Sequence, residues 1–262
     1  MKHINLRSYI KSSLHVALSL WAFCSVFAMQ QGFNLTLSLQ CAILGFGWFA
    51  YQYFHLIVPA LVEKRRINLF QAITLICALA IGFYGLVMQT TTVWLIFVFV
   101  GLITSFYALP LGAHMGLRYV PTLKIFIVAL CWSTLATFGL YNLTTVHFAL
   151  VASKAFLWVL ALIVPLEIHD LKRDAPNLKT LPQVLGVRAV KLLSYALILI
   201  AVVLASMTST SITFAWIEMG MLVLLGLLIF KVKTTQPKYI ISLLVEAIPL
   251  LWLTLSYVTV TF

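Results

Sequence analysis

The chain has 262 residues, of which 63% are hydrophobic and only 9% are charged, and its mean hydropathy is +1.09. So few polar side chains cannot cover a water-soluble globule of this length, which excludes a soluble protein and indicates an integral membrane protein. The net charge of +11 does not indicate nucleic-acid binding, because the basic residues are spread over short segments rather than gathered in one domain.

Apolar runs of about 20 residues, the length that a helix needs to cross the hydrocarbon core, follow one another along the chain. The runs are continuous, whereas membrane β-strands alternate in polarity, so we expect an all-α fold. A single polytopic membrane domain over residues 1–262 is predicted. Its nine transmembrane helices are expected at 12–30, 36–61, 69–88, 92–110, 121–141, 146–166, 187–207, 212–230 and 238–258.

The Lys and Arg residues test this partition, because short cytoplasmic loops carry an excess of them. Sixteen of the 17 lie in five segments that nine crossings would place on one side of the membrane. We therefore expect a cytoplasmic N-terminus and an external C-terminus, in the cytoplasmic membrane of a bacterium. The exception, Lys154, and the acid Glu218 both fall near external helix ends, where we expect their side chains to snorkel.

The end of the second predicted helix reads FAYQYFHLIVPALVEKRRIN, residues 49–68. It places one acid, Glu63, directly before the cations Lys64, Arg65 and Arg66. His55 lies in the cytoplasmic half of this helix, at a depth comparable to that of His15 in the first. A shared cavity and hydrogen bonds between helices are both open readings of these histidines.

The longest polar segment, PLEIHDLKRDAPNLKTLPQVLG at 165–186, holds three of the six acids of the chain. Glu167, Asp170 and Asp174 are spaced by three and four residues, so their carboxylates share one face if the helix continues past Pro165. Such a face suits Mg²⁺, which prefers hard oxygen ligands and bridges carboxylates to phosphates. The alternative is a solvated helix end whose acids balance the basic loop.

The last predicted helix contains Glu246, about two turns from its cytoplasmic end. A carboxylate at that depth requires a partner or a wet cavity. Glu246 and His55 are therefore candidate cavity residues.

Two of these segments resemble motifs of the UbiA-type intramembrane prenyltransferases. Residues 166–186, LEIHDLKRDAPNLKTLPQVLG, are similar to the second aspartate-rich motif of that family, including its Lys-Thr-Leu-Pro and Leu-Gly ending. Residues 106–132, FYALPLGAHMGLRYVPTLKIFIVALCW, are similar to the loop between helices four and five, where Tyr-x-x-Pro precedes a basic segment and a Leu-Lys pair. Nine helices and an internal N-terminus also agree with the family.

The resemblance implies a helical bundle whose cytoplasmic polar cap binds the diphosphate of an isoprenoid substrate through Mg²⁺. The metal would stabilise the departing diphosphate while the allylic carbon is attacked by an acceptor. Asp170 and Asp174 would be the catalytic metal ligands, with Glu167 and Glu63 as further ligands. The residues expected to contact the diphosphate are Arg118, Lys124, Lys179, Lys64, Arg65 and Tyr107. Alternatively, these cations only set topology and Tyr107 anchors the helix at the interface.

The first aspartate-rich motif of the family is expected at the end of helix two, yet residues 49–68 contain no aspartate. Counting back from Glu63 in steps of four gives Pro59, which has no side-chain ligand, and His55, which is softer than Mg²⁺ prefers. Either one metal suffices, with Lys64, Arg65 and Arg66 supplying the missing positive charge, or the chain binds another phosphorylated lipid, or the fold has lost the chemistry.

The function expected is Mg²⁺-dependent transfer of a polyprenyl group from its diphosphate to a lipophilic acceptor, such as an aromatic quinone precursor. Membrane lipid is the other expected partner. The alternative is a noncatalytic UbiA-like membrane protein that binds or transports an isoprenoid lipid; transport is the weaker form, because no inverted repeat is evident.

Overall fold

The protein is described by a computed structural model, which covers residues 12–62, 64–109, 120, 122–140, 143–174 and 178–261. All regular structure in these residues is helical, which confirms the all-α prediction. The helices are α1 (Leu14–Gln30), α2 (Leu37–Gln52, continued by Val58–Val62), α3 (Leu69–Val87), α4 (Thr91–Ala108), α5 (Leu123–Thr137), α6 (Thr145–Asp170), α7 (Leu181–Leu185), α8 (Val187–Thr208), α9 (Ile212–Lys231) and α10 (Lys238–Thr261).

Every predicted apolar run coincides with one of these helices. Seven described helices are long and apolar enough to cross a membrane, and α1 and α4 are shorter apolar helices. The chain is therefore a multi-pass membrane protein, while nine crossings and the side on which each terminus lies remain predictions.

A π-helical turn at Tyr53–Ile57 interrupts α2. Pro59 follows it by two residues; it lacks an amide hydrogen, and its ring would clash with the carbonyl four residues earlier in a regular α-helix. The wider π turn accommodates the proline, since the amide of Val58 bonds the carbonyl of Tyr53. π turns often occur at functional sites, and this one carries His55.

Helices α2 and α3 pack with their backbones in direct contact, because glycines face each other between them. A Cβ atom added to Gly45 would lie 2.2 Å from the amide nitrogen of Gly82, and one added to Gly85 would lie 2.3 Å from that of Ala42. Small residues that permit such an approach are a common device for helix association in lipid.

Helices α1 and α6 form the centre of the bundle. Helix α10 packs on α1, and helices α5 and α8 both pack on α6. Trp158 and Trp252 stack there with centroids 4.8 Å apart, and Phe23 meets both rings edge-on. This aromatic layer is fully buried. It separates the end of the bundle that holds the polar cavity from the opposite end.

The snorkelling predicted for Lys154 and Glu218 is wrong. Both side chains are 0% exposed, and Lys154 Nζ lies 2.9 Å from Glu218 Oε2. Gln30 accepts from Lys154 at 3.0 Å and donates to Glu218 at 2.8 Å, and the Trp158 indole donates to Glu218 at 3.2 Å. The two charges point inward because each finds its counterion there, at a lower cost than either alone would pay.

Candidate functional site

One end of the bundle contains a cavity of about 590 Å³ enclosed by α1, α2, α5, α6 and α10, which we call the polar cavity. It collects side chains from helix ends that are far apart in the sequence. Its ionisable lining residues are His15, His55, Arg65, Lys124, Glu167, Asp170 and Glu246. The cavity candidates His55 and Glu246 thus share one space with predicted diphosphate and metal ligands.

The shortest charged contact of this cavity joins α5 to α6. Lys124 Nζ donates to Glu167 Oε1 at 2.5 Å. The Glu167 side chain is only 2% exposed, whereas that of Lys124 is 37% exposed. The lysine therefore neutralises a buried carboxylate and still presents part of its side chain to the cavity.

The helix α6 runs through Pro165 and ends at Asp170. Glu167 and Asp170 therefore lie within the helix, whereas Asp174 lies in the following turn, where its amide donates to the carbonyl of Asp170 at 2.9 Å.

Asp170 and Asp174 have different surroundings. Asp170 Oδ1 lies 3.0 Å from His169 Nδ1 and 3.8 Å from Arg173. Asp174 lines a second, much smaller cavity together with Lys124, Glu167 and others, and its Oδ2 atom is buried with no hydrogen-bond partner. A buried carboxylate oxygen of this kind requires a cation or a donor.

On the opposite wall, α1 and α10 contribute a second ionisable pair. His15 Nε2 lies 2.9 Å from Glu246 Oε2, and the two side chains are 6% and 8% exposed. The hydroxyl of Ser242 donates to Glu246 Oε1 at 3.1 Å and lies 3.3 Å from His15 Nε2. Glu246 Oε1 therefore accepts from Ser242, whereas Glu246 Oε2 is buried close to the His15 ring without a hydrogen-bond partner.

An apolar cavity of about 490 Å³ lies between α2, α3, α4 and α5, and we call it the aromatic cavity. Its walls include Phe46, Phe49, Phe54, Phe83, Trp94 and Phe97. Tyr51, Val128 and Trp132 line both this cavity and the polar one, so they form the boundary between them. The Trp132 indole donates to the Tyr51 hydroxyl at 3.1 Å.

The remaining predicted site residues lie elsewhere. Tyr107 is buried, lines the aromatic cavity and meets Phe54 edge-on at 5.6 Å. Lys64 and Lys179 are exposed and line neither cavity. Glu63 and Arg118 lie outside the described residues.

Sequence reasoning missed the boundary residues Tyr51 and Trp132 and the contact of Ser242 with Glu246. Aromatic residues inside apolar spans have no sequence signature that separates a cavity wall from helix packing. Only the spacing of Ser242 and Glu246, four residues apart and so on one helical face, could have suggested their contact.

The described carboxylates fit one Mg²⁺ ion better than two. Glu167 and Asp174 meet at the small cavity, and hard carboxylate oxygens suit this cation, which usually keeps several of its waters. Within the described residues, no group of three or more His, Cys, Asp or Glu side chains is arranged to hold a metal. Any further ligands would come from substrate or water.

Comparison with solved structures identifies the architecture as the UbiA fold. An apo UbiA homologue from Aeropyrum pernix K1 superposes with a TM-score of 0.68 at 15% identity, over 95% of this chain and 99% of that one. A UbiA homologue from Archaeoglobus fulgidus bound to GPP and Mg²⁺ superposes with a TM-score of 0.66 at 14% identity, over 97% of this chain and 99% of that one. A UbiA homologue from Archaeoglobus fulgidus bound to Cd²⁺ superposes with a TM-score of 0.64 at 16% identity, over 96% of this chain and 98% of that one.

No protein-family model and no curated protein sequence matches the chain. The fold resemblance is therefore structural, at identities of 14–16%.

Proposed function

We propose that the chain belongs to the UbiA-type prenyltransferases and transfers a prenyl group from an isoprenoid diphosphate to a lipophilic acceptor. The observation that carries this proposal is the junction of the two cavities at Tyr51, Val128 and Trp132. An isoprenoid diphosphate has a charged head and an apolar tail, and the polar and aromatic cavities match these two parts. A relative of the same fold binds GPP and Mg²⁺.

The diphosphate head would lie against Lys124 and Arg65, the two described cations of the polar cavity. Lysine and arginine bind phosphate oxygens through charge-assisted hydrogen bonds. Lys64, Lys179 and Arg118 are further proposed contacts, and the head group would have to draw Lys64 and Lys179 toward the cavity, because they do not line it. Tyr107 would lie beside the first carbons of the tail, at the wall where it is found.

A Mg²⁺ ion would be held by Glu167 and Asp174, with Asp170 and Glu63 as proposed further ligands. When bound, such an ion neutralises charge on the leaving diphosphate. Asp174 Oδ2, buried without a partner, is the atom of this chain that most requires it. Glu167 is already bonded to Lys124, so the lysine and the metal would share that carboxylate.

The bond that breaks joins the allylic carbon to the diphosphate oxygen, and it would lie at the boundary between the cavities. Positive charge then develops next to Tyr51 and Trp132, whose rings attract cations through their faces. The apolar walls beyond them exclude water, which would otherwise capture the cation as an alcohol. The acceptor contributes the electron pair of the new bond.

The test is transfer by purified protein in nanodiscs with Mg²⁺, radiolabelled geranyl diphosphate and a panel of phenolic acceptors. We expect a prenylated product and release of diphosphate. Arg65→Gln is expected to weaken geranyl diphosphate binding at least tenfold, and its matched control is Arg188→Gln, on an exposed residue outside both cavities. Equal binding by both variants would contradict the proposed head-group site.

A noncatalytic isoprenoid-binding protein is the second candidate. It is favoured by the lack of aspartate in residues 49–68 and by the use of Lys124 as the partner of Glu167. Geranyl diphosphate binding without product or diphosphate release, across the acceptor panel, would support this candidate over the transferase.

A further inference from the structure

The joint between α9 and α10 carries a concentration of positive charge that lies outside both cavities. Lys231 is the last residue of α9, and Lys233 follows two residues later. Both lysines are exposed while Val232 between them is buried, so the two side chains point away from the bundle. Lys191 reaches the same place from α8, because its Nζ atom donates to the carbonyls of Phe230 and Val232 at 2.8 and 3.1 Å. We call Lys191, Lys231 and Lys233 the lysine cluster.

No described acid neutralises the lysine cluster. After residue 175 the sequence contains only two acids, Glu218 and Glu246. Glu218 is buried against Lys154, and Glu246 lies beside His15. The last carbonyls of α9 carry roughly half a unit of negative charge through the helix dipole, which offsets only part of the charge of three ammonium groups. An anion from outside the chain would supply the missing negative charge.

The backbone that carries the two exposed lysines is fixed in place. The Gln236 side chain accepts a hydrogen bond from the amide of Lys233 at 2.9 Å and donates one to the carbonyl of Lys231 at 3.3 Å. The carbonyl of Gln236 lies 2.7 Å from His169 Nε2, which ties the joint to the end of α6. Lys191 and Lys233 lie within electrostatic range of each other, so their charges are held together although they repel. This arrangement preorganises the cluster for an anion.

The surface next to the lysine cluster is apolar and faces outward. On α9, Phe230 is exposed, and so are Leu227 and Val223, about one and two turns earlier. On α8, Leu192 directly follows Lys191 and is exposed as well. In a multi-pass membrane protein, apolar side chains that face outward contact the acyl chains of lipids. The cluster therefore lies where these acyl chains meet their head groups.

We propose that the lysine cluster binds the head group of an anionic phospholipid, whose acyl chains lie along the outward apolar side chains of α8 and α9. Lysine ammonium groups bind phosphate oxygens through charge-assisted hydrogen bonds. A free phosphate would match the charge alone, whereas a phospholipid matches both the charge and the apolar surface. Basic sites between transmembrane helices recognise anionic lipids in this way. The inference does not depend on the proposed transfer reaction, because the site lies outside both cavities.

The excess of basic residues in short cytoplasmic loops would also place lysines at this end of the bundle. That rule concerns their number on one side of the membrane, and it does not require three of them to meet. Lys172, in the turn after α6, is an exposed lysine that does not belong to the cluster. A comparison of the cluster with Lys172 therefore separates a lipid site from a topology signal.

The experiment measures bound lipid by native mass spectrometry of protein released from nanodiscs that contain phosphatidylglycerol and phosphatidylcholine. We expect the wild type to retain phosphatidylglycerol in preference to phosphatidylcholine. Attraction to an anionic lipid is worth about fivefold for each lysine, so Lys231→Gln/Lys233→Gln should reduce this preference about 25-fold. Both positions are exposed, so the fold should be retained. The matched control Lys172→Gln should keep the wild-type preference within about twofold.

Equal retention of the two lipids by the wild type would overturn the proposal. An equal loss of preference in Lys172→Gln and in the double variant would also overturn it, because the attraction would then be spread over the whole basic surface. Excess glycerol phosphate, which has the phosphate without acyl chains, separates the lipid from a free phosphate. Phosphatidylglycerol that stays bound supports the proposal, whereas its displacement would assign the cluster to a soluble phosphate instead.

The position of the lipid is tested with a phosphatidylglycerol that carries a photoactivatable group in its acyl chain. We expect it to label residues 192–199 of α8 and 223–230 of α9. Labelling spread evenly over all outward helix faces would contradict a site at the cluster. Neither measurement requires prenyl transfer, so both decide this inference whether or not the protein is a transferase.

Discussion

The buried pair of Lys154 and Glu218 offers a test of how this bundle tolerates charge in its centre. At a separation of 2.9 Å and an effective dielectric constant of about 20, two unit charges attract by about 6 kcal/mol. Removing one partner leaves the other charge buried, which typically costs about 3–5 kcal/mol. We therefore expect Lys154→Met and Glu218→Gln each to lower the unfolding free energy by about 3–5 kcal/mol.

The double variant Lys154→Met/Glu218→Gln should be more stable than either single variant. It leaves no buried charge, and the new amide can pair with Gln30, which already contacts both positions, while still accepting from the Trp158 indole. Replacing both members of a buried pair with neutral groups is often close to neutral, so we expect the double variant to lie within about 2 kcal/mol of the wild type.

The assay is reversible unfolding in mixed micelles by titration with dodecyl sulfate, followed by tryptophan fluorescence, with Lys191→Met as the matched control. Lys191 donates to the carbonyls of Phe230 and Val232 near the surface, so its loss should cost less than about 1 kcal/mol. If the costs of the two single variants simply add in the double variant, the pair contributes no coupling energy and the reasoning is refuted.

Three further predictions concern packing, metal and tail length. Gly85→Ala should destabilise the protein by about 2–4 kcal/mol, because the added methyl group meets the α2 backbone. In the same unfolding assay the control Gly220→Ala should be neutral or stabilising, because its methyl group meets nothing within 4 Å. Asp174→Asn should raise the Mg²⁺ concentration for half-maximal geranyl diphosphate binding about tenfold or more, and an unchanged Mg²⁺ titration would remove Asp174 as a ligand. Gly101 lines the aromatic cavity, and a Cβ added there meets nothing within 4 Å, so Gly101→Phe should fill part of this cavity. The variant should lose more affinity for longer prenyl diphosphates than for geranyl diphosphate. An equal loss of affinity for all chain lengths would count against this cavity as the tail site.

The helices were predictable because their signal is local. A span needs about 20 apolar residues wherever it lies in the chain, and the Asn68 cap with Gln71 shows that the start of α3 is also encoded within four residues. The end of α6 was predicted at residue 166 and lies at Asp170, since the helix continues past Pro165 rather than ending there.

The partners of buried charges were not predictable in the same way. Lys154 and Glu218 are 64 residues apart, and nothing near either residue indicates that α6 and α9 place them 2.9 Å from each other. Snorkelling is the default expectation for a charge near a helix end, and a tertiary counterion overrides it. Tyr51 and Trp132 escaped notice for a related reason, since their role depends on two cavities that several helices create together.

The distribution of charge around the polar cavity bears on how the proposed site would bind a diphosphate without an aspartate at the end of α2. A diphosphate is bound by positive charge, and carboxylates serve only to hold the cations that supply it. At the end of α2 no aspartate is present, but Arg65 reaches the cavity directly, and Lys124 neutralises Glu167 from α5. In the proposed site, these cations would supply part of the positive charge that a second metal would bring. We therefore expect geranyl diphosphate binding to weaken on Mg²⁺ removal yet persist, and to disappear when Lys124→Gln and Arg65→Gln are combined.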